Sequence, residues 1–94
     1  MMEIHKTAIA GTVESSDIMI TLEKSEFETK IDLTSTVEKE FGDAIREEIL
    51  KVLDGMGISK VKVTAVDKGA LDCTIRARVK TAVSRATHSG GEAL

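Results

Sequence analysis

Residues 35–57 read STVEKEFGDAIREEILKVLDGMG, and their spacing decides the fold. Val37, Phe41, Ile45, Ile49 and Leu53 recur at every fourth position, and Ala44, Val52 and Met56 widen the stripe into one apolar helical face. Ser35 followed three residues later by Glu38 has the form of a capping box, and Gly55 and Gly57 offer stops, so the pattern predicts a helix from Thr36 to about Asp54. Five large side chains on that stripe, each contributing about 1.5–3 kcal/mol when buried, make this helix the expected organiser of the core. Gly42 lies inside it at a cost of about 1 kcal/mol relative to alanine, which close packing against a sheet would explain.

Upstream the period changes from helical to alternating. Ile9, Gly11 and Val13 share one face of an expected strand over residues 7–13, and Ile18, Ile20 and Leu22 alternate in the next. Glu14-Ser15-Ser16-Asp17 joins them as a hairpin turn. After a second turn around Lys24-Ser25-Glu26, residues Phe27, Thr29, Ile31 and Leu33 alternate with Glu28, Lys30 and Asp32, the pattern of a strand with one face in water. The expectation is three consecutive antiparallel strands.

Downstream, Val61, Val63 and Ala65 alternate with Lys60, Lys62 and Thr64. Leu71, Cys73, Ile75 and Ala77 alternate with Asp72, Thr74 and Arg76, so the turn Asp67-Lys68-Gly69-Ala70 is expected to close a second hairpin. From Arg78, Val79, Ala82, Val83 and Ala86 take helical spacing and predict a short closing helix. The predicted order is β-β-β-α-β-β-α: an α+β sandwich with a largely antiparallel sheet and helices on one face, one domain over residues 1–94 with 88–94 as a flexible tail.

Composition narrows the function classes. A chain of 94 residues, 41% hydrophobic, has room for one modest core and little for a deep catalytic cavity. The formal charge of -3, two phenylalanines as the whole aromatic complement, and no basic run argue against a nucleic-acid partner. No apolar run approaches the ~20 residues that span a bilayer, and residues 1–10 lack the pattern of a secretory signal, so a cytoplasmic location is expected. Cys73 has no second cysteine to pair with and reads as a small inward strand residue, while His5 and His88 stand near opposite ends and form no metal-ligand pattern.

The chemistry therefore turns on Ser15 and Ser16. A serine nucleophile needs a nearby base, usually an oriented histidine, and the two histidines lie near the termini. A hydroxyl that another enzyme modifies needs exposure alone, and either serine meets that condition as well as the simpler role of turn former. Glu14 and Asp17 either solvate the exposed turn or present charge to a basic groove of a modifying enzyme. Asp72 and Arg76 are expected as surface charges on a polar strand face.

Three blocks in fixed order, Ala10-Gly11-Thr12-Val13-Glu14-Ser15, then 35–46 (STVEKEFGDAIR), then 67–73 (DKGALDC) with Arg76-Ala77-Arg78, make the chain resemble the acyl carrier protein, or gamma subunit, of citrate lyase. The resemblance implies a non-catalytic carrier in which the serine directly after the glutamate, Ser15, bears a phosphoribosyl dephospho-CoA group through a phosphodiester, formed from 2'-(5''-triphosphoribosyl)-3'-dephospho-CoA with release of pyrophosphate, and Ser16 is a turn residue. It implies as partners an alpha subunit that exchanges acetyl for citryl on the carrier and a beta subunit that cleaves citryl to the acetyl thioester and oxaloacetate. A holo-carrier synthase would attach the group and an acetate ligase would acetylate it. Bundle-type acyl carrier proteins differ: their serine follows an aspartate at a helix start, whereas Ser15 follows Glu14 in a strand-rich region. Two other readings stand beside this one, the carrier subunit of malonate decarboxylase and an unmodified α+β interaction module.

Overall fold

The computed structural model describes residues 3–87. Three strands, β1 (Ala8–Ala10), β2 (Ile18–Lys24) and β3 (Lys30–Ser35), precede helix α1 (Glu38–Gly55), strand β4 (Val61–Asp67) and helix α2 (Asp72–Thr87). The sheet order is β1-β2-β4-β3, antiparallel except for the β3–β4 pair. The expected α+β class, largely antiparallel sheet and helices on one face are all present. The expected tail, residues 88–94, lies outside the described residues.

Alternation builds the central strands. Ile18, Ile20 and Leu22 on β2 and Val61, Val63 and Ala65 on β4 are buried, and their register sets Ile20 opposite Ala65 and Leu22 opposite Val63. Onto this face fall Ile45, Ile49, Val52 and Leu53 of α1 and Ile75, Val79, Ala82, Val83 and Ala86 of α2, which complete the core.

Besides β1, which ends at Ala10 and buries Ala8 and Ala10 while Ile9 and Val13 of the expected strand over residues 7–13 are exposed, three expectations about the elements need correction. First, β3 does not continue a meander beside β2. It runs parallel to β4 at the sheet edge, with Ile31 opposite Val63 and Leu33 opposite Ala65, because α1 serves as the crossover of a β-α-β unit and returns the chain in the same direction. Phe27 falls before this strand and is 84% exposed.

Second, there is no second hairpin. Of the alternating Leu71, Cys73, Ile75 and Ala77, the last three belong to α2 and Leu71 directly precedes it; the buried positions Ile75, Val79, Ala82, Val83 and Ala86 recur at helical spacing while Leu71, Cys73 and Ala77 are exposed. Cys73 is thus exposed rather than inward. Asp72 and Arg76 lie on a helix, where Arg76 Nη1 approaches Glu48 Oε2 of α1 at 3.4 Å. The order is therefore β-β-β-α-β-α.

Third, the α1 stripe is less deep at its start than its spacing implies. A four-residue repeat advances 400° against 360° per turn, so the row wraps around the helix and leaves Phe41 57% exposed. The capping box does not form: Ser35 Oγ accepts from Val37 N at 3.0 Å and donates to Asp67 Oδ2 at 2.8 Å, while Glu38 is drawn into an ion pair with Arg46 at 2.9 Å. That ion pair also accounts for Gly42, where a Cβ would lie 3.0 Å from Glu38 Cγ and 3.1 Å from Arg46 Nη1. Its bare backbone makes way for a side-chain bridge and not for the sheet. At the other end Gly57, at φ +71, lets Ile58 N bond Leu53 O and Gly57 N bond Asp54 O, the closing pattern of a Schellman motif.

Candidate functional site

The end of the sheet at which β3 and β4 finish and β2 begins gathers three connections: the serine turn after β1, the Thr36–Val37 link into α1, and loop 68–71 into α2. Ligand sites in folds with parallel pairs favour such an edge, where strand ends leave backbone groups and loops to be arranged.

The turn is closed from within. Gly11 takes φ +95, and a Cβ there would fall 1.9 Å from the Ile18 carbonyl oxygen, so the chain leaving β1 passes against the chain entering β2 in a way that glycine alone permits. Thr12 Oγ1 donates to Asp17 Oδ2 at 2.6 Å and accepts from Glu14 N at 3.2 Å, and Asp17 N donates to Glu14 O at 3.1 Å. Ile18 N donates to Asp17 Oδ1 at 2.7 Å.

Arg78 of α2 completes the arrangement. Its Nε donates to Asp17 Oδ1 at 3.0 Å and its Nη2 to Asp17 Oδ2 at 2.8 Å, a forked pair. These bonds, with that from Thr12, outweigh the cost of burial and hold the Asp17 carboxyl far below the ordinary carboxylate range. The same pairing raises the Arg78 guanidinium.

The turn is also tied sideways. Ser16 N donates to Lys68 O and Lys68 N donates to Asp17 O, both at 2.8 Å, which extends the β2–β4 ladder beyond the Ile18–Asp67 pair. Loop 68–71 is in turn held by Asp67, which is buried and accepts from Ser35 Oγ at 2.8 Å, Gly69 N at 3.1 Å and Ala70 N at 3.0 Å. Two aspartates thus anchor the edge, Asp17 for the turn and Asp67 for the neighbouring loop.

This geometry separates the two serines. Ser16 sits at φ 66, a left-handed conformation held by its bond to Lys68. Ser15 is exposed at the head of the turn, and its hydroxyl has no hydrogen-bond partner among the described residues. Glu14 beside it is exposed as well. Asp17 does not share that position: it is buried, with both oxygens occupied, and acts as the keystone of the turn rather than as a solvated flanking charge.

His5, the one histidine among the described residues, bonds through its backbone N to Ala86 O, at the end of α2 opposite the serine turn. Among the described residues no group of three or more His, Cys, Asp or Glu could hold a metal ion, and no helix is long and apolar enough to cross a membrane. The arrangement presents a hydroxyl to an outside reagent, and among the described residues no histidine stands beside it.

Sequence reasoning did not find Arg78, Thr12 or Asp67 as parts of the site. The available signals were an arginine between Ile75 and Val79, two core positions of α2, and an aspartate two residues before Gly69 in a turn. Neither signal identifies a partner 61 or 32 residues away.

Residues 5–86 match the acyl carrier family model described as the malonate decarboxylase delta subunit. The chain is 59% identical to the citrate lyase acyl carrier protein of Oenococcus oeni over 85 residues, 90% of this chain and 88% of that one. It is 50% identical to the protein of the same name from Halothermothrix orenii over 91 residues, 97% of each chain. Its fold is shared with a chain in the crystal structure of a Pseudomonas malonate decarboxylase hetero-tetramer in complex with malonate, with a TM-score of 0.72 over 92% of both chains at 17% identity.

Proposed function

This chain belongs to the family of citrate lyase acyl carrier proteins, and from that premise we propose that it is the single-domain, non-catalytic carrier subunit of a cytoplasmic citrate lyase, with Ser15 as the attachment point of a phosphoribosyl dephospho-CoA group donated by 2'-(5''-triphosphoribosyl)-3'-dephospho-CoA with loss of pyrophosphate. The observation that carries the reading is the contrast at the turn: an exposed Ser15 hydroxyl without an internal partner, on a backbone braced by Asp17, Arg78 and Lys68. A phosphodiester needs one accessible oxygen at the attachment residue, and the Ser15 position fits that need. When bound, such a group would supply a terminal thiol able to carry acetyl and citryl thioesters.

The chain's own residues do the rest. Ser15 holds the group covalently, and the Asp17–Arg78 pair keeps the turn in one conformation for successive partners. Exposed Glu14 is left as the acid beside the serine that meets a basic groove of the holo-carrier synthase, where complementary charge speeds encounter. The acetate ligase would acetylate the tethered thiol, and the alpha and beta subunits would then act on the resulting thioester at an effective concentration of order mM.

A second reading, the carrier of a malonate decarboxylase, is favoured by the description of the family model. The 50–59% identity to citrate lyase carriers over nearly the whole chain supports the first reading. Co-expression with the holo-carrier synthase of a citrate lyase operon should add the mass of the group to wild type and to Ser16→Ala, and none to Ser15→Ala. Because the chain contains no tryptophan or tyrosine, the adenine should also dominate near-ultraviolet absorbance and remain through denaturation. Loss of the added mass in the Ser16→Ala protein alone would move the site, and no added mass in any form would favour an unmodified interaction module.

A further inference from the structure

Between the first turns of α1 and α2 lies an open groove of about 550 Å3, lined chiefly by Val37, Phe41, Ile45, Ala70, Leu71 and Ile75. Asp72 is the one charged residue among the described residues of its lining. Phe41 and Leu71 stand 57% and 69% exposed there. The volume falls within the roughly 300–1,000 Å3 of small-ligand pockets, and the apolar lining selects an apolar occupant.

The groove adjoins the serine turn through a continuous piece of backbone. Lys68 exchanges two hydrogen bonds with residues 16 and 17, and the next residue, Gly69, already belongs to the groove wall. From Lys68 to Leu71 the chain spans at most about 11 Å, three Cα steps. Val37 on the opposite wall is fixed through Ser35 to Asp67, so one aspartate positions both the wall and the loop that meets the turn. Ser15 directly precedes Ser16, whose N donates to Lys68 O, so an arm built from a nucleotide and a pantetheine-like chain starts one residue from a direct contact of the groove loop.

We propose that this groove is the resting site of the acylated end of the arm carried by Ser15, a flexible aliphatic amide chain ending in a short acyl thioester. The proposal rests on Ser15 as the attachment point. Covering Phe41 and Leu71 removes apolar surface from water, and the groove shields the thioester between visits to partner subunits. Its open shape keeps the docking reversible, as transfer to a partner requires. A carboxylate end would be disfavoured, since the one charged side chain of the lining, Asp72, is itself an acid.

Cys73 provides the readout, since it lines the groove and its thiol is free and exposed. Apo protein, acetylated holo protein and Ser15→Ala are treated with iodoacetamide, and alkylation is measured on the Cys73 peptide after intact mass has verified the group on Ser15. The expected result is alkylation about fivefold slower in the acetylated holo form, corresponding to a mostly docked arm. Ala44→Glu, at an exposed groove position on α1, should restore the apo rate without changing Tm. Equal rates in apo and verified holo protein would overturn the groove alone, whereas no added mass on Ser15 would remove the attachment reading beneath it. Slowing that survives Ala44→Glu, or that requires added alpha or beta subunit, would also overturn it, the latter by assigning the groove to a partner protein.

Discussion

Arg78 in α2 grips Asp17 at the foot of the serine turn with two hydrogen bonds, at 3.0 and 2.8 Å, across 61 residues of sequence. The pair joins a helix to a loop, so the position of Ser15 depends on the packing of the whole domain. A turn held by local bonds alone would sample several shapes, and each would have to be selected again by every partner.

Removing the grip should loosen the turn more than it harms the core. In Arg78→Ala, the amides of Ser16 and Lys68 are expected to exchange with solvent about tenfold faster, while those of Ile20 and Val63 keep their protection. Arg78→Lys should fail to restore the slow exchange, because an ammonium cannot reproduce the fork. Unchanged exchange at Ser16 in both variants would show that the pair does not hold the turn.

The same pair sets an acid dependence. The folded pKa of Asp17 is depressed below the ordinary value of 3.8, so its ionised form contributes stability fully present above that value. The contribution declines as pH falls below 3.8 toward the depressed folded value. The stability difference between wild type and Asp17→Asn should therefore be constant from neutral pH down to about pH 5 and shrink below about pH 4. Denaturation series at several pH values check this, and a difference undiminished at low pH would contradict it.

Gly11→Ala should destabilise the domain by about 2–4 kcal/mol, since alanine at φ +95 is strained and its methyl would meet the Ile18 carbonyl oxygen. The damage is local to the turn, so the rate of Ser15 modification should fall together with Tm. A Tm equal to wild type would mean that the chain reroutes freely at this point.

Two apolar residues on one helix should behave differently. Ile49→Ala removes a fully buried side chain and should cost about 2–5 kcal/mol. Phe41→Ala, at a position 57% exposed, should cost less than about 1 kcal/mol despite sharing the same four-residue spacing. Comparable losses in chemical denaturation would place Phe41 in the core after all.

Legibility followed the range of each interaction. The helix over residues 36–54 could be read because its burial period repeats within one segment, and it appears as Glu38–Gly55. The alternation in β2 and β4 was legible for the same reason. Leu71, Cys73, Ile75 and Ala77 misled because four alternating residues satisfy a strand period by accident, while the longer helical run from Ile75 to Ala86 carried the better signal.

By itself, then, the sequence determined the class of fold, the main helix, the two central strands and the presence of a polar turn carrying Ser15, since each follows from side-chain periodicity or from local turn chemistry. The tertiary structure alone decided that β3 pairs with β4 rather than β2, that Asp17 is buried against Arg78, and that Asp67 ties loop 68–71 beside the turn. Such choices depend on which distant groups meet when the core closes. A buried carboxylate must find donors wherever packing brings them, and no local pattern encodes that partner.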